Sequence, residues 1–98
     1  MNQYSKYLIC YDVVSNKKRK KLFDELKDLG LKDIQKSVFY GDMKPAEFNA
    51  MKRIVKKLLD EETDHCLWVQ CSLSKEAIQE CFGYKNFSWI EPDEHDTI

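Results

Sequence analysis

Tyr7-Leu8-Ile9-Cys10-Tyr11-Asp12, continued by Val13-Val14-Ser15-Asn16 and then by Lys17-Lys18-Arg19-Lys20-Lys21-Leu22-Phe23, is the stretch that decides the fold. Five apolar residues in a row are the pattern of a central strand covered on both faces. The strand ends on a carboxylate, Asp12. Val13 to Asn16 reads as a loop, with Ser15 or Asn16 as the cap of a helix that runs to about Leu29. Leu22, Phe23, Leu26 and Leu29 fall on one face at helical spacing, and Gly30 closes the helix.

Working outward, residues 32–43 are extended, rich in Ile, Val, Phe and Tyr. They form one bent strand or two short ones broken near Lys36-Ser37. Pro45 opens a second helix at the position proline favours, with Phe48, Met51, Val55, Leu58 and Leu59 as its apolar stripe. Residues 60–64 are an acidic solvated turn, and 66–71 form another strand. Ser74 caps a short helix through Glu80. Residues 84–90 are aromatic-rich and read as a last strand, and 91–98 as a flexible acidic tail.

This order is the split βαβ, ferredoxin-like α+β arrangement, βαββαβ with an additional C-terminal strand: two helices on one face of an antiparallel sheet. Residues 1–83 form the core unit. The second sheet face would be bare, and Trp68, Tyr84, Phe87 and Trp89 suggest that it is covered, as in a face-to-face dimer. With 98 residues the chain is one domain, and a domain this small buries only about 60–70% of its extended surface, so association is a natural way to add core.

Net charge is −1, but it is split. Residues 1–57 hold 14 Lys+Arg against 7 Asp+Glu, and residues 58–98 hold 2 against 10. The basic part can present an anion-binding face. No apolar run is long enough to span a membrane, and the N-terminal residues lack the pattern of a secretory signal, so a cytoplasmic location is expected. Cys10, Cys66, Cys71 and Cys81 make no CxxC or Cys/His finger spacing and read as small buried thiols in a reducing compartment.

A helix start carries about half a positive charge and unpaired N–H groups. Lys17, Lys18, Arg19, Lys20 and Lys21 therefore oppose their own helix unless an anion sits there, and a nucleic-acid phosphate answers both the amides and the lysines. The structural reading is a solvated basic face. Lys52, Arg53, Lys56 and Lys57 of the second helix suit its C-terminal dipole and say less about function. Asp12 has two readings as well: a turn residue bonding the backbone of Val14 or Ser15, or a ligand for Mg²⁺, which takes one or two carboxylates together with waters and phosphates. Two symmetry-related Asp12 residues would make the fuller site. Neither histidine is expected near it: His65 follows the acidic turn and His95 lies in the tail.

These residues resemble the small CRISPR-associated protein two family. The resemblance covers roughly residues 4–71. It rests on Tyr11-Asp12-Val13, on the basic helix start with Arg19, on Lys21-Leu22-Phe23, and above all on Gly30-Leu31 followed by Ile34-Gln35-Lys36-Ser37-Val38-Phe39-Tyr40-Gly41-Asp42. It implies a homodimer whose last strand, 84–90 here, is exchanged onto the partner's sheet. It implies Asp12 as the Mg²⁺ position at the dimer axis, with Asp12, Ser37 and Phe39 catalytic and Arg19 and Lys21 beside the cleft. It further implies a CRISPR adaptation protein of antiviral defence that binds DNA or RNA backbone and bridges integrase subunits in spacer acquisition, with phosphodiester hydrolysis as its enzymatic activity. Many members carry an arginine where this chain has Lys32-Asp33, and an aspartate there weakens phosphate binding. The competing readings are a toxin-like ribonuclease of the same fold and a non-catalytic ligand-sensing module.

Overall fold

A computed structural model describes residues 3–88. The central strand β1 spans Ser5–Asp12 and the first helix α1 spans Asn16–Asp28. They are followed by β2 (Lys32–Gln35), β3 (Val38–Met43), α2 (Pro45–Leu58), β4 (His65–Gln70) and the short α3 (Lys75–Gln79). The four strands form one antiparallel sheet in the order β2-β3-β1-β4, which is the ferredoxin-like βαββαβ order.

Local chemistry sets each boundary. The Ser15 hydroxyl accepts from the Lys18 amide at 3.2 Å, capping α1. At the other end Gly30 takes φ 91°, which an L side chain resists. The Gly30 amide then donates to the Lys27 carbonyl and the Leu31 amide to the Leu26 carbonyl, the paired bonds of a Schellman stop. The extended segment is two strands, broken at Lys36-Ser37, where Ser37 has φ 64°. Pro45 begins α2, and the Glu47 carboxylate accepts from the Lys44 amide at 2.7 Å.

The core lies between the sheet and α1 and α2. Ile9, Tyr11, Leu22, Leu26, Phe39, Met43 and Met51 are buried in it. Burying each such side chain contributes about 1.5–3 kcal/mol relative to exposure. Gly41 lies on β3 where a Cβ would come within 2.9 Å of a Leu31 methyl and 3.4 Å of its Cα, so a larger residue there would require the Leu31 side chain to move.

Two expectations change here. Trp68 does not cover the open face: it packs on the helix side, edge-on to Phe48 at 6.4 Å. The open face is crossed instead by the chain leaving β4. Tyr40, 3% exposed, accepts from the Leu73 amide at 2.6 Å and donates to the Cys71 carbonyl at 3.2 Å. Ile78 of α3 is buried. The last strand is also not formed over its described part. Residues 84–88 carry turn hydrogen bonds, Tyr84 amide to Cys81 carbonyl and Phe87 amide to Tyr84 carbonyl. The Tyr84 hydroxyl donates to the Ile34 carbonyl at 3.0 Å, so the aromatic ring docks on β2 without strand pairing. Residues 89–98, including Trp89 and the acidic tail, lie outside the described residues.

Candidate active site at the end of the central strand

Asp12 is the last residue of β1, a strand paired on both sides, and its side chain is exposed. Its predecessor Tyr11 points the other way into the core, which places Asp12 on the open face. Among the described residues its carboxylate holds no hydrogen bond or ion pair.

The turn-capping role considered for Asp12 belongs to another residue. Asp64, just before β4 and 7% exposed, accepts from the Val14 amide at 2.9 Å with one oxygen. With the other it accepts from the Asp60 amide, also at 2.9 Å. These donors, the Asp60 amide foremost, hold the Asp64 carboxyl below the usual carboxylate range, and nearby Lys18 adds to the effect. Asp64 was missed in the sequence because it stood inside an acidic run read as solvated. Its one signal was its place immediately before a strand.

Arg19 pins the same loop from the helix side. Its guanidinium donates to the Val13 carbonyl at 2.6 Å and also to the Asn16 side-chain oxygen. Asp64 and Arg19 together fix residues 13–16, so Asp12 emerges from a rigid strand and loop. On the other flank the Ser37 carbonyl accepts from the Tyr11 amide at 3.0 Å. This extends the β1–β3 pairing past Val38 and sets the left-handed Ser37 turn against Tyr11, one residue before Asp12. Left-handed residues other than glycine are uncommon.

Phe39 lies in the core of the single chain. It is 0% exposed, edge-on to Phe23 at 5.3 Å and stacked with Tyr11 at 6.2 Å. Its ring fills the space under the site because β3 turns alternate residues toward the helices.

The basic run divides in two. Lys20 pairs with Asp24 at 2.9 Å and Lys21 approaches Glu25 at 4.0 Å, one turn further along α1. Those lysines therefore oppose the helix less than the run suggests. Lys17 and Lys18, in a first turn that has no acidic residue, form no salt bridge among the described residues. Asp33, in the segment where an arginine was looked for, is held by Lys27 at 3.1 Å, which compensates its charge.

His65 is the placement least foreseen. The β1–β4 register sets Asp12 directly opposite His65, and both side chains are exposed. Lys52 and Lys56 of α2 line an open depression along the β4 edge together with Asp12 and His65. Among the described residues no three His, Cys, Asp or Glu side chains gather as a metal cluster. One chain thus brings one carboxylate and one imidazole to this corner. The four cysteines are free. Burial, with Cys10 nearby, pushes the Cys66 thiol up to about 11, but none of the four is a fully buried thiol as expected: Cys10, Cys66 and Cys71 are half-buried and Cys81 is exposed.

The family model described as CRISPR associated protein Cas2 matches residues 5–78. This chain belongs to the Cas2 family. The match runs from β1 into α3, and so contains Asp12, the basic run and Ser37. Among curated Cas2 relatives, the CRISPR-associated endoribonuclease Cas2 1 of Francisella tularensis subsp. novicida is 34% identical over 98 residues, the whole of both chains. The CRISPR-associated endoribonuclease Cas2 of Desulforudis audaxviator is 41% identical over 54 residues, 51% of each. Among solved structures, Streptococcus pyogenes Cas2 at pH 6.5 superposes with a TM-score of 0.69 and 26% identity. That likeness covers 80% of this chain and 99% of that one. A hypothetical protein, TT1823 from Thermus thermophilus, gives 0.67 and 26%, over 71% and 84%. No helix among the described residues is long and apolar enough to cross a membrane.

Proposed function

We propose that this Cas2-family chain works as a homodimer in CRISPR adaptation, binding nucleic-acid backbone and hydrolysing phosphodiesters at Asp12 with Mg²⁺. The observation that carries the reading is the Asp12 carboxylate: exposed, fixed at the end of a doubly paired strand, and relieved of any capping duty by Asp64. A carboxylate with no partner among the described residues, at the end of a doubly paired strand, suits a hard cation. Bound there, Mg²⁺ supplies charge neutralisation for the phosphodiester and an activated water.

The residues around it divide the remaining work. Lys17 and Lys18 hold backbone phosphates at the start of α1, where the helix dipole has the right sign for an anion. Arg19 keeps the loop after Asp12 in place through the Val13 carbonyl. Ser37, in the turn against Tyr11, would offer a hydroxyl to the same end of the sheet. Leu67 and Val69, 55% and 48% exposed on β4, leave an apolar strip on the open face. A second copy covering that strip brings two Asp12 residues toward one axis. RNA is the favoured substrate, because the relatives matched bear the name endoribonuclease. Bridging of integrase subunits in spacer acquisition asks only for the dimer's shape and its basic backbone contacts. The family match lends nothing to the toxin-like or ligand-sensing readings.

The test compares wild type with Asp12→Ala on labelled single-stranded RNA and duplex DNA, with Mg²⁺ and with EDTA, beside a binding titration. Loss of Mg²⁺-dependent cleavage with binding retained supports the reading. Equal cleavage by both proteins removes Asp12 from the chemistry. Duplex binding without cleavage by either protein leaves a DNA adaptor.

A further inference from the structure

Asp12 and His65 are partners across the β1–β4 ladder. Residues directly opposite on antiparallel strands point to the same face, with Cβ atoms about 4.5–5.5 Å apart. Asp12 ends β1 and His65 begins β4, so the pair sits at the rim of the sheet on its open face. Both side chains are exposed, and neither makes a hydrogen bond or ion pair among the described residues. The adjacent structural duty, tying β4 to the loop after β1, is done by Asp64. Among the described residues His65 thus makes no packing or capping contact that accounts for an imidazole at this position.

We infer that His65 is a second donor when the cation held by Asp12 is a transition metal such as Mn²⁺, making a mixed carboxylate–imidazole pair, whereas Mg²⁺ is held by Asp12 and water alone. This rests on the reading of Asp12 as the metal ligand. Metal–oxygen and metal–nitrogen bonds of about 2.0–2.2 Å can be closed between side chains rooted at that cross-strand spacing. No third protein ligand gathers among the described residues, and the remaining coordination positions suit water, a phosphate oxygen or a second copy. The pairing has a consequence for metal choice. Mg²⁺ prefers oxygen donors and keeps its waters, whereas imidazole suits the transition metals, and affinity at nitrogen-containing sites rises along the first row from Mn²⁺. A carboxylate alone treats Mg²⁺ and Mn²⁺ more nearly alike; the added imidazole favours Mn²⁺.

The experiment is a Mn²⁺ titration of the full chain, read by the free-ion electron paramagnetic resonance signal, with Mg²⁺ as competitor. Wild type, His65→Ala and Asp12→Ala are compared. The expected result is a loss of Mn²⁺ affinity of about tenfold or more in His65→Ala, the lower end of what even outer-shell changes cause, with little change for Mg²⁺. Asp12→Ala loses both. In a parallel nuclear magnetic resonance titration, substoichiometric Mn²⁺ broadens the His65 ring protons in wild type and spares them in Asp12→Ala. Wild-type Mn²⁺ affinity in His65→Ala, with loss in Asp12→Ala, overturns the role of His65 and leaves Asp12 standing. Equal loss of both ions in His65→Ala overturns it too, since a donor effect is selective. Unchanged binding in Asp12→Ala, or no binding in wild type, overturns both readings.

Discussion

Replacing Lys17 and Lys18 together by alanine should move nucleic-acid binding and stability in opposite directions. Both lie in the first turn of α1, which carries no acidic residue, and neither forms a salt bridge among the described residues. If each neutralises one phosphate of duplex DNA, the double variant loses about 0.9 per contact from the slope of log affinity against log salt, ~1.8 in all, and about 0.7 per contact on a single strand. Between about 50 and 200 mM salt the duplex difference amounts to about twelvefold in how far affinity falls. Stability should rise, because each cation at a helix N-terminus costs about 0.3–1 kcal/mol at low ionic strength. The gain is trimmed at Lys18 by its attraction to Asp64. At this chain length each kcal/mol shifts Tm by about 4–8 °C. The control is the double variant Lys20→Ala, Lys21→Ala. Those lysines already face Asp24 and Glu25, so the slope should change less and stability should dip by a few tenths of a kcal/mol per pair, about the worth of such contacts. Fluorescence anisotropy across a salt series and a thermal melt measure the two quantities. Equal slope losses in the two doubles, or a lower Tm on removing Lys17 and Lys18, would refute this partition of the basic run.

Two further predictions test the frame around the site. Asp64 is ionised more readily in the fold than in the unfolded chain, so its contribution is fully present above the ordinary carboxylate value of about 4. It is lost as pH falls through the lowered folded value. Urea unfolding followed against pH should show a flatter acid limb for Asp64→Asn than for wild type, and parallel limbs would count against the two backbone bonds. Phe39→Ala should cost about 3–5 kcal/mol, the usual loss for a fully buried aromatic. Phe39→Leu, once shown folded by its melt, should bind and cleave nucleic acid as wild type does; a folded leucine variant with cleavage lost would return Phe39 to the site.

The strands and helices were legible because each boundary is local chemistry. Ser15, Gly30, Ser37 and Pro45 act through their own backbone or the next few residues, and such effects are written in consecutive letters. The side of the sheet on which a residue lands is a different matter. In β4, Cys66 and Trp68 alternate with Leu67 and Val69, and either pair is apolar enough to be the inner one. The packing of Trp68 against Phe48 decides it, and that contact joins residues twenty apart. The segment 84–88 misled for a related reason: aromatic richness signals burial, and docking the Tyr84 hydroxyl on β2 achieves burial without a ladder.

The site was half legible on the same principle. Asp12 could be found because it interrupts an apolar run at a strand end, a local signal. His65 could not, because its position depends on a register set across more than fifty residues of chain. A slip of one residue would turn His65 to the other face of the sheet. Asp64 adds a local tie at the end of this register to the one that Trp68 packing makes. Its bond to the Val14 amide ties the residue before β4 to the second residue after β1. Antiparallel pairing continued inward from that tie sets His65 against Asp12 and Cys66 against Tyr11. The buried carboxylate thus acts on the site without entering it. It takes the capping bond that Asp12 would otherwise offer the loop and ties the chain just before His65 to the chain just after Asp12, so a residue hidden in an acidic run supports both halves of the proposed metal site.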